Sequence, residues 1–314
     1  MAYDVIGDIH GHADALIALL GRLGYRDHRG AYRHPDRTAV FLGDFIDRGL
    51  QNEAVVVIVR RMVDAGSALA VMGNHELNAI QYHTLGPHGA PLRSHNDKHT
   101  IQHESFLEEF NGRPRDLDEL INWFRTLSLY RDLGGLRVVH AFWHTTQIQT
   151  VAPYVDSEAR LTDPGLIATS KQGTDPGDST ARSALEDLLK GPEVLMPNDL
   201  YFEDKEGFRR YAARIGWWKP SGSTWRDVLL VPRATREQLP TTVFESLERY
   251  QYPADAVPVM FGHYWANGDP EPFSANTACL DWSVAKGGKL AAYRFDGEPR
   301  LRAEQFVWVG PNGG

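Results

Sequence analysis

Three short apolar runs are each followed at once by a glycine and a set of ligand-type side chains, and this pattern limits the fold more than any other feature. Residues 3–6 run into Gly7-Asp8-Ile9-His10-Gly11, residues 38–42 into Gly43-Asp44-Phe45-Ile46-Asp47-Arg48-Gly49, and residues 68–72 into Gly73-Asn74-His75-Glu76. Between them lie stretches of helical character. Apolar residues at 16, 17, 20 and 23 share one face of a helix over 13–23, and 53–63 reads as a buried helix despite its Val and Ile content. Strand, loop and helix in succession imply βαβ units and a largely parallel sheet. In such sheets the loops leaving the strand C-termini gather along one edge, where ligands bind.

The remainder reads as one α/β domain over 1–314, with an inserted lid at roughly 145–225. Residues 117–129 have helical character, and a strand over 136–139 ends at His140. Residues 150–195 are rich in Thr, Ser, Asp, Gly and Pro and read as insertion or lid, not core, with a helix near 181–189. The stretch 201–219 mixes charge with aromatics. It reads as a packed edge in preference to a stacking platform for a nucleobase. Strands are expected at 228–231, at 257–261 (ending in Gly262-His263), and as an antiparallel pair at 290–295 and 305–309. The histidines of the run 83–103 read as a solvated loop in preference to a third metal or substrate site.

Composition removes several function classes. With 33 Lys+Arg against 41 Asp+Glu, the net charge of −8 argues against general nucleic-acid binding. The longest apolar runs, such as 54–59, are far short of the ~20 residues a membrane helix needs. A single cysteine, Cys279, excludes an intrachain disulfide and a cysteine-rich zinc site. No secretory leader is visible, because residues 1–6 read as a strand, so a cytoplasmic setting is expected. Neither a P-loop, a zincin helix nor a Gly-x-Ser-x-Gly elbow occurs.

What remains is a donor set of carboxylates, an amide and imidazoles: Asp8, His10, Asp44, Asn74, His140 and His263. Such donors suit Mn, Fe, Zn or Co better than Mg. They suffice for two metals if one carboxylate is shared, and Asp44, on the central loop, is the natural bridge. Two metals ~3.5–4 Å apart can hold a hydroxide and clamp a phosphoryl group for in-line displacement.

These three blocks, in this order and about 30 to 36 residues apart, resemble the signature of the phosphoprotein-phosphatase (PPP) type of calcineurin-like metallophosphoesterase. His140 and Gly262-His263 match that family's two further histidines. The stretches 190–210, 214–219 and 279–295 look similar to bacterial members related to symmetrical diadenosine-tetraphosphatases. The resemblance implies a β-sandwich of mixed sheets flanked by helices. It implies a first metal on Asp8, His10 and Asp44, and a second on Asp44, Asn74, His140 and His263. Manganese is the expected ion, with Fe, Zn, Co or Ni as alternatives. His75 would be the general acid, oriented by Asp47; Arg48 and Asn74 would meet the phosphate. A second phosphate arginine would come from the middle region, where Arg209, Arg210 and Arg214 are candidates and Arg214 is chosen. One departure from the family pattern follows His140. Ala141-Phe142-Trp143 replaces a small pair, and that bulk is expected to reshape the leaving-group pocket.

The implied activity is hydrolysis of a phosphoester or phosphoanhydride by a hydroxide held on the metals, acting on a small nucleotide such as a dinucleoside polyphosphate. A protein Ser/Thr or Tyr phosphatase is the alternative, so the partner is a small phosphorylated substrate or a phosphoprotein. A non-catalytic metal-binding interaction module is the alternative of another class.

Overall fold

The structure is a computed structural model, and it describes residues 2–203 and 207–314. Residues 204–206 of the aromatic stretch 201–219, and Met1 of the expected first strand, lie outside the described residues. The first half alternates as its sequence pattern predicts. β1 (Ala2–Ile6) precedes α1 (Ala13–Leu23), β2 (Arg37–Phe41) precedes α2 (Asn52–Asp64), and β3 (Ala68–Ala70) precedes α3 (Asn74–Tyr82). The helices α4 (Asp97–Gln102), α5 (Glu104–Glu109) and α6 (Pro114–Phe124) lead to β4 (Tyr130–Asp132) and β5 (Arg137–Val139). Then α7 (Asp178–Lys190) precedes β6 (Glu193–Leu195), β7 (Ala212–Ile215) and β8 (Leu229–Leu230). The chain closes with β9 (Val259–Phe261), β10 (Thr277–Cys279), β11 (Asp281–Trp282), β12 (Lys289–Phe295) and β13 (Phe306–Val309).

One sheet has the order β11-β12-β1-β2-β3, with β13 also paired to β12. Its β1, β2 and β3 run parallel, whereas β12 is antiparallel to β1 and β13 to β12. A second sheet has the order β10-β9-β5-β4, parallel except for β4. A small third sheet has the order β8-β7-β6. The expected largely parallel sheet is therefore two mixed sheets. The period-2 alternation of strands makes this a sandwich. Val5 and Val40 point between the two sheets, where they meet Val138, Met260 and Ala278. Their neighbours Ile6, Ala39 and Phe41 point the other way, into a layer formed with Leu16, Leu19, Val55 and Val59 of α1 and α2. An aromatic cluster of Phe142, Trp143, Trp217, Trp218 and Phe261 covers the second sheet.

Two expectations are corrected here. Helix α7 is not outside the core, because Ala184, Leu185, Leu188 and Leu189 are buried within the main cluster. The Leu188 carbonyl accepts the N–H groups of Ala141 and Phe142, directly after His140. The polar composition of 150–195 belongs to the helix's outer face and to its loops, and a composition average hides an amphipathic helix. The strand expected at 228–231 is shortened to Leu229–Leu230, because the Thr224–Asp227 capping box organises a short helix at Trp225–Val228 that takes Val228.

Leu188 is fully buried, so Leu188→Ala should cost about 2–5 kcal/mol in urea unfolding. A loss below about 0.5 kcal/mol, the range of surface substitutions, would show that α7 is a detachable cover.

Candidate active site

Each donor loop leaves a strand and turns sharply. His10, Asp44, Asp47, Arg48 and His263 all adopt positive φ, at 48°, 52°, 68°, 76° and 71°. Non-glycine residues held there cost about 1–3 kcal/mol each and persist only where surrounding contacts enforce them. Glu76 supplies much of that enforcement. Its buried carboxyl accepts the N–H groups of Asp44 (2.8 Å), Phe45 (2.8 Å) and Gly73 (2.9 Å), and so ties the second loop to the third. Burial and the nearby Asp44 push its pKa up to about 7. Close approach also explains two glycines. A Cβ on Gly73 would collide with Asp44, and one on Gly262 would collide with the Asp8 carboxylate.

Asp44 sits at the centre. Its Oδ2 lies 3.3 Å from His140 Nε2, 3.7 Å from His10 Nε2 and 3.9 Å from His75 Nε2, while its Oδ1 accepts the His75 N–H at 3.0 Å. Two triads of ligand atoms share it: His10 with Asp44 and His75, and Asp44 with His140 and His263. His10 Nδ1 is paired with the Ile46 carbonyl at 3.1 Å and His140 Nδ1 with the Leu42 carbonyl at 2.7 Å. Such bonds orient the rings and leave Nε2 as the ligand atom. Asn74 Oδ1 adjoins His140 Nε2 at 3.2 Å. Asp8 stands beside this group: its Oδ2 accepts the His263 N–H at 3.0 Å, whereas its Oδ1 and His263 Nε2 are buried without a partner.

Buried polar atoms normally find partners. An unsatisfied carboxylate oxygen and an unsatisfied imidazole nitrogen, beside a cluster of oxygen and nitrogen donors, therefore fit divalent cations. The protonation pattern agrees. Burial and the neighbouring Asp281 raise Asp8 well above the usual carboxylate range. Burial opposes charge on His140, yet Asp44 and Asp8 raise it to about 10. Burial lowers His10 to about 4, and burial with Arg214 holds His263 well below the ordinary value. These shifts run in the direction expected where a cation would otherwise compensate the buried carboxylates.

Asp47 is buried between two histidines. His75 Nδ1 lies 2.5 Å from Asp47 Oδ2, and His103 Nδ1 lies 2.8 Å from Asp47 Oδ1. Burial disfavours the carboxylate, but the hydrogen bonds from His103 and His75 hold it well below the usual range. Burial likewise opposes a charged His75, and Asp44 and Asp47 outweigh it, so its pKa lies above the ordinary value. This arrangement keeps a proton on His75.

These groups open into a cavity of about 680 Å³, lined also by Arg48, Arg93, Lys190, Arg210, Arg214, Trp265 and Lys286. Trp265 stacks on His10 at 5.9 Å and carries the Lys286 ammonium over its ring at 3.4 Å. Of the arginine candidates, Arg210 and Arg214 line the cavity, whereas Arg209 lies over the Tyr201 ring at 4.5 Å.

The structure brings the sequence-derived donors together, but it revises two readings. His103 is buried on Asp47 and His95 stacks on Tyr82 at 3.7 Å, so the histidine run is not simply a solvated loop. Phe142 and Trp143 turn into the aromatic cluster and do not line the cavity, because β5 ends with its side chains directed at the second sheet's outer layer. The aromatics at the cavity are Tyr82 and Trp265, while Trp217 and Trp218 of the stretch 201–219 pack into the aromatic cluster as the packed-edge reading expects. Glu76, Arg93, His103 and Trp265 escaped sequence reasoning. Only Glu76, placed in the third loop, and His103, in a dense histidine run, left any local signal.

Comparison with known proteins supports this reading. The description of calcineurin-like phosphoesterases matches residues 1–264. A bis(5'-nucleosyl)-tetraphosphatase PrpE (asymmetrical) of Halalkalibacterium halodurans is 46% identical over 87 residues, 27% of this chain and 35% of that protein. A symmetrical bis(5'-nucleosyl)-tetraphosphatase of Neisseria meningitidis serogroup A is 32% identical over 167 residues, 51% of each. The chain thus spans about half or less of the length of these two relatives. The structure of a cold-active protein tyrosine phosphatase shares the fold, with a TM-score of 0.51 at 16% identity, over 100% of this chain and 77% of that one. By its family match over most of the sequence, this chain belongs to the calcineurin-like phosphoesterases.

Proposed function

We propose that this protein hydrolyses phosphoanhydride bonds in small nucleotides, with a dinucleoside polyphosphate as the substrate class. The observation that carries the proposal is the buried Asp44 carboxyl set between the ligand atoms of His10 and His75 on one side and those of His140 and His263 on the other, with Asp47 bonded to His75, in a cavity lined by several arginines and lysines. The tetraphosphatase names of the relatives agree with it.

Asp8, His10 and Asp44 would hold one divalent ion, and Asp44, Asn74, His140 and His263 a second, with manganese the first choice. Bound there, such ions supply Lewis acidity that stabilises phosphoryl charge and acidifies water. The chain's own residues do the rest. Arg48, partly stacked over Trp265 at 6.0 Å, offers its planar fork to phosphate oxygens, and Asn74 and Arg214 bind beside it. With Nδ1 committed to Asp47, His75 releases its proton from Nε2 to the leaving oxygen. His103 fixes Asp47 from the other side and so sets the His75 ring. Residues of the region roughly 145–225 wall the cavity and shield it from water. A cytoplasmic setting belongs to this reading: Cys279 is buried and free, and no helix among the described residues is long and apolar enough to cross a membrane.

A competition panel tests the substrate class. With the Mn²⁺-loaded enzyme, diadenosine tetraphosphate should outcompete both mononucleotides and phosphopeptides, and preferred turnover of phosphopeptides would identify a protein phosphatase instead. His75→Ala should lower kcat by about 10²–10⁴, the usual worth of a positioned acid, and the loss should grow with the pKa of the leaving group. An equal loss on 4-nitrophenyl phosphate and alkyl phosphates would remove His75 as the proton donor.

Metal uptake should depend on pH. Against the opposing effect of burial, Asp44 and Asp8 raise His140 to about 10, so it carries a proton near neutrality that must leave before it can ligate, and burial shifts Asp8 in the same direction. Mn²⁺ affinity should fall as pH falls, with protons released on binding, as read by calorimetry in buffers of different ionisation enthalpy. Binding without proton release would contradict this site.

A further inference from the structure

We propose that Arg93 and Lys190 form a second anion subsite, distinct from the group around Asp44, that grips the part of a polyphosphate chain not being cleaved. This inference deepens the hydrolase reading and rests on it. Arg93 lies in the loop between α3 and α4 and lines the cavity. Its Nη1 donates to Asn78 Oδ1 at 2.9 Å and its Nη2 to Gln102 Oε1 at 3.2 Å. Two neutral amides thus hold the guanidinium in a fixed plane without neutralising it. Among the described residues, no carboxylate forms an ion pair with Arg93. An arginine so placed is built to receive a charged ligand, since a structural one is normally paired with an acid.

Lys190 reaches the same cavity from the last turn of α7, and its one ion pair is with Glu186 on its own helix at 3.3 Å. Arg214 arrives from β7, paired with Glu193 at 3.8 Å, and its Nε is buried without a hydrogen-bond acceptor. Burial, with Arg93 and Arg214 nearby, pushes the Lys190 ammonium below the ordinary lysine value despite Glu186. Three cations from three separate elements therefore converge on one cavity; Glu186 and Glu193 pair with Lys190 and Arg214, whereas Arg93 has only the through-space attraction of Asp47 and Glu186. A chain of phosphates would bridge all three. Neither Arg93 nor Lys190 hydrogen-bonds to the ligand set around Asp44. A monoester seated there would leave the subsite empty, whereas three or four linked phosphates would engage both. The ligand class is thus a linear polyphosphate, free or capped by nucleosides.

The test uses inorganic tripolyphosphate and orthophosphate, titrated calorimetrically into the metal-free full chain, where binding is read without hydrolysis. Arg93→Gln should weaken tripolyphosphate about 10- to 100-fold, the worth of a charge-assisted contact, and leave orthophosphate unchanged. Lys190→Gln should act in the same direction, and Arg93→Lys should recover part of the loss. In the Mn²⁺-loaded enzyme, Arg93→Gln should raise KM for diadenosine tetraphosphate while kcat/KM for 4-nitrophenyl phosphate stays at the wild-type value. Undiminished tripolyphosphate binding in both Gln variants, or equal losses for both anions, would overturn the subsite. If Arg93→Gln fails to fold by thermal melting, Lys190→Gln carries the same test. Arg93-dependent tripolyphosphate binding without hydrolysis of any nucleotide would sink the hydrolase reading and leave the subsite standing.

Discussion

A carboxylate buried among three imidazoles is the constraint around which this molecule is arranged. Asp44 is 2% exposed, and isolation of such a charge from water costs several kcal/mol unless partners compensate. Here the compensation is dense. It comes from the His75 N–H and from His140, His10 and His75 within 3.3–3.9 Å of Oδ2. Those partners arrive on three segments widely separated in sequence. Burial opposes its ionisation, but His140 and His75 hold Asp44 well below the usual carboxylate range. The site is therefore anionic at its centre and cationic around it, as cation capture followed by anion recognition requires.

The strain in the loops follows from that convergence. Parallel β1 and β2 end side by side, and each loop must turn at once to aim its donor back over the sheet edge. Positive φ at His10, Asp44, Asp47 and Arg48 is the backbone's way of doing so. Glu76 then locks the result with three backbone hydrogen bonds. Rigid placement is what catalysis by position demands, because the reacting groups must be held before the substrate arrives. The His75–Asp47 pair obeys the same logic: Asp47 is held from both sides by His75 and His103, so the His75 ring is fixed in one orientation.

Much of this was legible in the sequence, and what was legible was local. The donor loops could be read because each lies next to an apolar strand, and strand ends share a sheet edge. His140 and Gly262-His263 could be read for the same reason. Helix α7 could be located but not assigned to the core, since its leucines are interspersed with Ser, Asp and Glu. Arg93 and Trp265 could not be read at all, and His103 only as one member of a dense histidine run. Each owes its role to a partner brought close only by folding: Asn78 and Gln102 for Arg93, Asp47 for His103, His10 for Trp265. Nothing in the local spacing of these residues distinguishes them from surface polar or aromatic side chains.

The amino-acid sequence by itself determined the strand–loop–helix order, the candidate donors and the exclusion of an intrachain disulfide, because hydrophobic periodicity and residue type are local quantities. Tertiary structure alone decided that α7 is core, that a second histidine braces Asp47, and that Arg93 and Lys190 share the cavity of the Asp44 cluster. Those outcomes depend on distances between segments far apart in the chain, and such distances exist only once the two sheets have packed.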